Sequence, residues 1–143
     1  MKPRCGEQLL NTTLEQLEAY LVDEFDIFVD YDVHGSDEFW YKDDTQGGGT
    51  ITINSHHSLS EQVNILAHEA GHVMLRSDNK HHIVFPDQDT TTQVGRLEIL
   101  REEVMAWETG RQLLESQNLF YEGESWKQSY RNSLTNYIQY VMS

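Results

Sequence analysis

Cysteine occurs once, at Cys5, so no internal disulfide can staple the chain, and a lone thiol fits a reducing compartment. Bases are scarce too: ten Lys and Arg stand against 24 Asp and Glu, a formal net charge of -14. Scattered as they are, those ten cannot assemble a basic patch that grips a phosphate backbone, which argues against nucleic acid as a partner. A run of 18 apolar residues is absent, as is a basic and apolar leader, so the expectation is neither a membrane protein nor a secreted one but a cytoplasmic one. The apolar fraction is a low 38%, yet it falls in regular stripes that argue against disorder throughout. At 143 residues the chain is expected to form one domain, 1–143, large enough to bury most of its apolar surface without staples.

What the chain does have is Ile65-Leu66-Ala67-His68-Glu69-Ala70-Gly71-His72-Val73, an HExxH pattern in a segment that reads as helix. Residues four apart on a helix share a face, so His68 and His72 can aim ring nitrogens at one metal ion. Glu69 stands about 100° round from His68, near enough to reach a water at that ion. Two imidazoles and a carboxylate suit Zn²⁺, which at a catalytic site takes three protein ligands and leaves a position for water. Ser58-Leu59-Ser60-Glu61 reads as a capping box for this helix, and Leu59, Val63, Leu66, Ala70 and Val73 form its apolar stripe. Gly71 would weaken an ordinary helix by about 1 kcal/mol relative to alanine, which is easier to explain if another segment or a substrate approaches there closely.

Ahead of the metal helix, Thr12-Thr13-Leu14-Glu15 reads as a helix start with Thr12 as cap, and Leu14, Leu17, Leu21 and Val22 give a core face through about Phe25. Ile27, Val29, Tyr31 and Val33 then alternate with Phe28, Asp30, Asp32 and His34 as a strand with one wet face. Gly35-Ser36-Asp37 turns the chain into a short second strand, Phe39-Trp40-Tyr41, and Thr50 to Asn54 is a third. The order predicts an α+β domain with a small, at least partly antiparallel sheet packed on helices. Acidic residues crowd between Glu15 and Asp44, where Lys42 is the only base, as a solvated face or as a surface that steers a basic partner. His81 and His82, like His56 and His57, are adjacent residues that point to opposite faces in an extended segment, which disfavours a second metal.

The third ligand comes from the long helical pattern of Val94 to Asn118. Glu103 shares its face with Ile99, Ala106, Gly110 and Leu113, whereas Glu102 sides with Glu98, Thr109 and Gln112. A carboxylate on an inward face needs a partner or a metal, so Glu103 is the choice and Glu102 the reserve. Small Ala106 and Gly110 would let this helix lie close across the metal helix. A last helix from about Ser125 places Trp126, Tyr130, Ser133/Leu134, Tyr137 and Tyr140/Val141 on one side.

These runs together, Gly49-Thr50-Ile51-Thr52-Ile53-Asn54, then Ala67-His68-Glu69-Ala70-Gly71-His72, then Glu103-Val104-Met105-Ala106-Trp107, resemble the ImmA/IrrE-like metallopeptidases, a gluzincin-type group common in bacteria, phages and mobile elements. The resemblance spans roughly Ile51 to Leu114. It implies zinc held by His68, His72 and Glu103, water activated by Glu69, and Thr50 to Asn54 as an edge strand along which a peptide lies. It also implies a zincin-like minimal metallopeptidase domain and an intracellular protein substrate. Where that family usually carries asparagine, this chain has Trp107, so the contact made there is not an amide's.

Without the resemblance, the same residues describe hydrolysis by metal-activated water with Glu69 as general base. Tyr121, Tyr130, Tyr137 and His56 are the candidates to stabilise the oxyanion. The alternatives are a non-proteolytic, zinc-containing module that binds a host protein and a zinc hydrolase acting on something other than a peptide.

Overall fold

Leu10, Leu14, Leu17 and Leu21, spaced four, three and four apart, form the buried face of α1, Cys5–Phe25. The structure, a computed structural model, describes residues 5–35, 37–41, 48–77 and 89–143, with main chain alone for 38–41. His81 and His82, and the rest of 78–88, lie outside the described residues. Helix α1 starts well before Thr12, which is therefore no cap. Leu10 extends the apolar stripe upstream, and Thr12 Oγ1 donates back to the Gln8 carbonyl, so the threonines ride inside the helix. Thr13 Oγ1 lies 2.6 Å from the carbonyl of Phe120 and ties α1 to the far end of the chain.

Three strands follow: β1, Ile27–Asp32; β2, Glu38–Tyr41; and β3, Gly49–Asn54. Here the expected fold needs correcting. The sheet runs in the order β1-β3-β2, and its longer pairing is parallel, from Ile27 opposite Gly49 to Asp32 opposite Asn54. Antiparallel pairing is confined to the four residues of β2, from Glu38 opposite Thr52 to Tyr41 opposite Gly49. Strand β3 is thus central and paired on both sides, and is not the edge that the family resemblance implied. The reason lies in the turn after β1. Gly35 sits so tightly on the β3 main chain that a Cβ would stand 2.8 Å from the Ile53 carbonyl carbon and oxygen, and Asp37 Oδ1 accepts a 2.8 Å bond from the Asn54 amide. The turn therefore passes over the end of β3 to its other side instead of closing a hairpin. Ile51 and Ile53 on the central strand are fully buried.

Helices make up most of the described chain: α2, Leu59–Ser77; α3, Gln93–Ser116; and α4, Gly123–Met142. Ser58 caps the helix as read, with its Oγ accepting from the Glu61 amide at 3.2 Å, while the Glu61 carboxylate returns to the Ser58 hydroxyl at 2.9 Å. Thr92 caps α3 through the Gly95 amide. One core joins α1, β1, β3 and the three later helices through residues such as Leu17, Ile27, Ile51, Leu66, Leu114 and Trp126. No helix among the described residues is long and apolar enough to cross a membrane.

Candidate metal centre

Two glycines bring α2 and α3 together. A Cβ on Gly71 would collide with the Ala106 carbonyl oxygen, and one on Gly110 would collide with the Ala67 carbonyl oxygen. Main chain thus meets main chain at two reciprocal points, closer than side chains on both helices allow. The ligand residues flank this crossing: His68 and His72 one turn apart on α2, Glu103 one residue-turn before Ala106 on α3.

Their ring nitrogens and carboxylate converge. His68 Nε2 lies 2.6 Å from Glu103 Oε1, and His72 Nε2 lies 3.1 Å from Glu103 Oε2. One ligand atom from each residue falls within 4.8 Å of the others, and this is the cluster of its kind among the described residues. The burial is deep, with Glu103 only 5% exposed and His68 8%. The reserve, Glu102, is only half-buried on the neighbouring face.

Electrostatics separates the two histidines. Burial holds His68 below its ordinary pKa, against the pull of Glu103. For His72 burial is outweighed by its hydrogen bond to Glu103 and by the charges of Glu69, Glu103 and Glu102, so its pKa is raised. Burial would raise Glu103, but its close contacts with both imidazoles and their charge carry it far below the carboxylate range. The carboxylate is ionised at neutral pH, as a metal ligand must be.

The residues fit a zinc ion. His68 Nε2 is fully buried, and its close polar neighbour, Glu103 Oε1, stands off the line of a hydrogen bond, so the nitrogen points into the cluster with this contact poorly aligned. An ion at the convergence of the three groups would satisfy it, and two nitrogens with one carboxylate oxygen is the set a catalytic zinc takes. The family model for the IrrE N-terminal-like domain, a peptidase family, matches residues 23–133, from the end of α1 into α4. The chain belongs to this family. It is a zinc metallopeptidase of the gluzincin type, with its HExxH histidines and a distal glutamate drawn into one site. Comparisons with curated proteins and with solved structures give no match.

Other residues singled out from the sequence are sorted by the structure. Glu69 is 7% exposed, with Oε1 3.5 Å from His68 Nδ1. Tyr137 reaches Glu103 from α4, and burial, together with the charges of Glu103, Glu69 and Glu102, pushes its pKa up to about 12. Tyr121 instead donates to Glu115 Oε1 at 2.8 Å, Tyr130 packs edge-on against Trp107, and His56 is exposed. His57 bonds to Asp37 at 2.8 Å, across the end of the sheet.

Ser133, noted from sequence only as part of a packing stripe, lies next to Glu103. The signal for it was a spacing, since Ser125, Ser129 and Ser133 recur every four residues on α4.

Because the ligands tie α2 to α3, zinc bound only by the folded chain adds stability. Stripping it is expected to cost about 2.7 kcal/mol when zinc had stood at a hundred times its Kd. Thermal melts before and after chelation, with zinc removal verified, check this; coincident curves would contradict it.

Proposed function

We propose that this family member hydrolyses peptide bonds in an intracellular protein, acting as one domain over 1–143 in the cytoplasm. The observation that carries the reading is a buried, ionised Glu103 meeting two imidazoles of one helix, with Glu69 beside them on that helix. When bound, zinc supplies Lewis acidity that polarises the scissile carbonyl and makes water a nucleophile at neutral pH. His68, His72 and Glu103 would hold it. Glu69 then accepts the proton of the attacking water and delivers it to the leaving amine.

Tyr137 keeps its proton at neutral pH, because burial and its acidic neighbours raise its pKa to about 12, and the one proton it shares with Glu103 is the one it would turn to the developing oxyanion. A Tyr137→Phe variant is expected to lose about 10²-fold in kcat with KM little changed. Steady-state kinetics at full zinc occupancy are the check, and an unaltered kcat would remove Tyr137 from the mechanism.

A substrate cannot add its main chain to β3, which is paired on both sides. Among the described residues the outer edge of β2 is unpaired on the side away from β1, and an extended peptide there would be read by main-chain hydrogen bonds. The excess of acid over base favours a basic segment as the part of the substrate that is steered in.

Profiling of new protein termini in a cell extract tests the function. Cleavages that appear with the zinc-loaded protein and vanish after chelation support it. An extract unchanged by the fully loaded protein, with a partner retained on it uncut, would favour the binding-module alternative.

A further inference from the structure

Helix α4 presents Ser125, Ser129 and Ser133 on one face. The first two are used by the fully buried Asn64, whose amide nitrogen donates to them at 2.9 and 3.0 Å. Ser133 has a different pair of neighbours. Trp107 Nε1 lies 3.1 Å from its Oγ, and its Oγ lies 3.5 Å from Glu103 Oε1.

The chemistry of the groups sets the direction of both bonds. An indole N–H only donates and an ionised carboxylate only accepts. The serine oxygen therefore receives the indole proton, and its single hydroxyl proton is turned toward Glu103. Trp107 is itself closely packed: it is 3% exposed and met edge-on by Trp126 at 5.2 Å and Tyr130 at 5.9 Å. Its ring also lies flat on His68, with centroids 4.2 Å apart and planes 10° off parallel. One indole thus sets the plane of one ligand with its face, and reaches the carboxylate of another through its edge and Ser133.

We propose that Trp107 and Ser133 form a single positioning unit that orients Glu103 for zinc, so that α4 builds the metal centre without supplying a ligand. The proposal rests on the reading of Glu103 as a zinc ligand. A carboxylate flanked by two imidazoles can turn toward either, and a hydroxyl turned toward Oε1 across 3.5 Å biases it before metal binding takes the rest of that freedom away. Loss of a hydrogen bond of this kind typically weakens metal binding by about 10- to 100-fold.

The experiment is zinc competition against a chromophoric chelator, using the full chain stripped of metal and titrated with zinc alone. Ser133→Ala and Trp107→Phe, which keeps a stacking ring but lacks the N–H, are each expected to weaken binding about 10-fold. Because they break the same chain, the double variant should be about 10-fold weaker as well, not about 100-fold, and Ser133→Thr, which keeps the hydroxyl, should bind as wild type does. A purely packing role would lower the zinc-free melting temperature, leave zinc affinity unchanged and make the losses add; that result overturns the proposal. Glu103→Ala separates the two layers of the argument. If it binds zinc as tightly as wild type, the ligand assignment fails and the positioning unit with it. If it loses zinc while Ser133→Ala does not weaken, the ligand assignment stands and the positioning unit is refuted.

Discussion

A Glu69→Gln variant is expected to lose about 10²- to 10⁴-fold in kcat while keeping its zinc, because the amide nearly matches the shape of the carboxylate but cannot accept a proton at neutral pH. Glu69 is buried beside His68, so an isosteric replacement leaves the packing of α2 in place. It is also not one of the three residues whose ligand atoms converge, so the metal should stay. The loss belongs in kcat with KM nearly constant, since the carboxylate acts on the proton in transit and contributes little to holding an extended chain. Turnover of a substrate recovered by extract profiling, with zinc measured in the same samples, is the assay. Equal turnover by wild type and the fully loaded variant would end the assignment of Glu69 as general base.

Gly71→Ala is expected to cost about 3 kcal/mol or more, at or above the upper end of ordinary overpacking. A methyl group there meets the main-chain oxygen of Ala106, and main chain cannot yield as a flexible side chain does. Helices α2 and α3 must separate, and with them His68 and His72 from Glu103. Stability and zinc affinity should therefore fall together. Gly110→Ala should behave alike, because its methyl meets the Ala67 carbonyl from the opposite side of the same crossing. Chemical denaturation and chelator competition on each variant are the measurements. A Gly71→Ala protein as stable as wild type, with unchanged zinc affinity, would show that the crossing does not hold the ligands together.

The parts of this site that were legible in the sequence are those fixed by one helix at a time. His68 and His72 follow from a spacing of four, Ser58 and Glu61 from a capping box, and Glu103 over Glu102 from which face of a single helix carries the apolar residues. Gly71, out of place in an isolated helix, correctly announced a close neighbour. What was not legible depends on how distant segments are arranged. Alternation in Ile27 to Val33 and in Thr50 to Asn54 reads alike whether the strands are parallel or antiparallel. Strand order was decided by Gly35 and Asp37 gripping the end of β3, contacts with no local pattern. The start of α1 was misplaced because a threonine followed by glutamate three residues later looks like a cap, while one further leucine upstream kept the helix going. Ser133 lies thirty residues from Glu103, and only the packing of α4 against α3 joins them.

Metal analysis of wild type, Glu102→Ala and Glu103→Ala, purified and reloaded side by side, tests the central claim most directly, because the two glutamates are adjacent and only one faces the histidines. Wild type and Glu102→Ala should each hold one zinc per chain, and Glu103→Ala should lose it or bind it far more weakly. Full, tight zinc in Glu103→Ala, with loss in Glu102→Ala, would contradict the site described here.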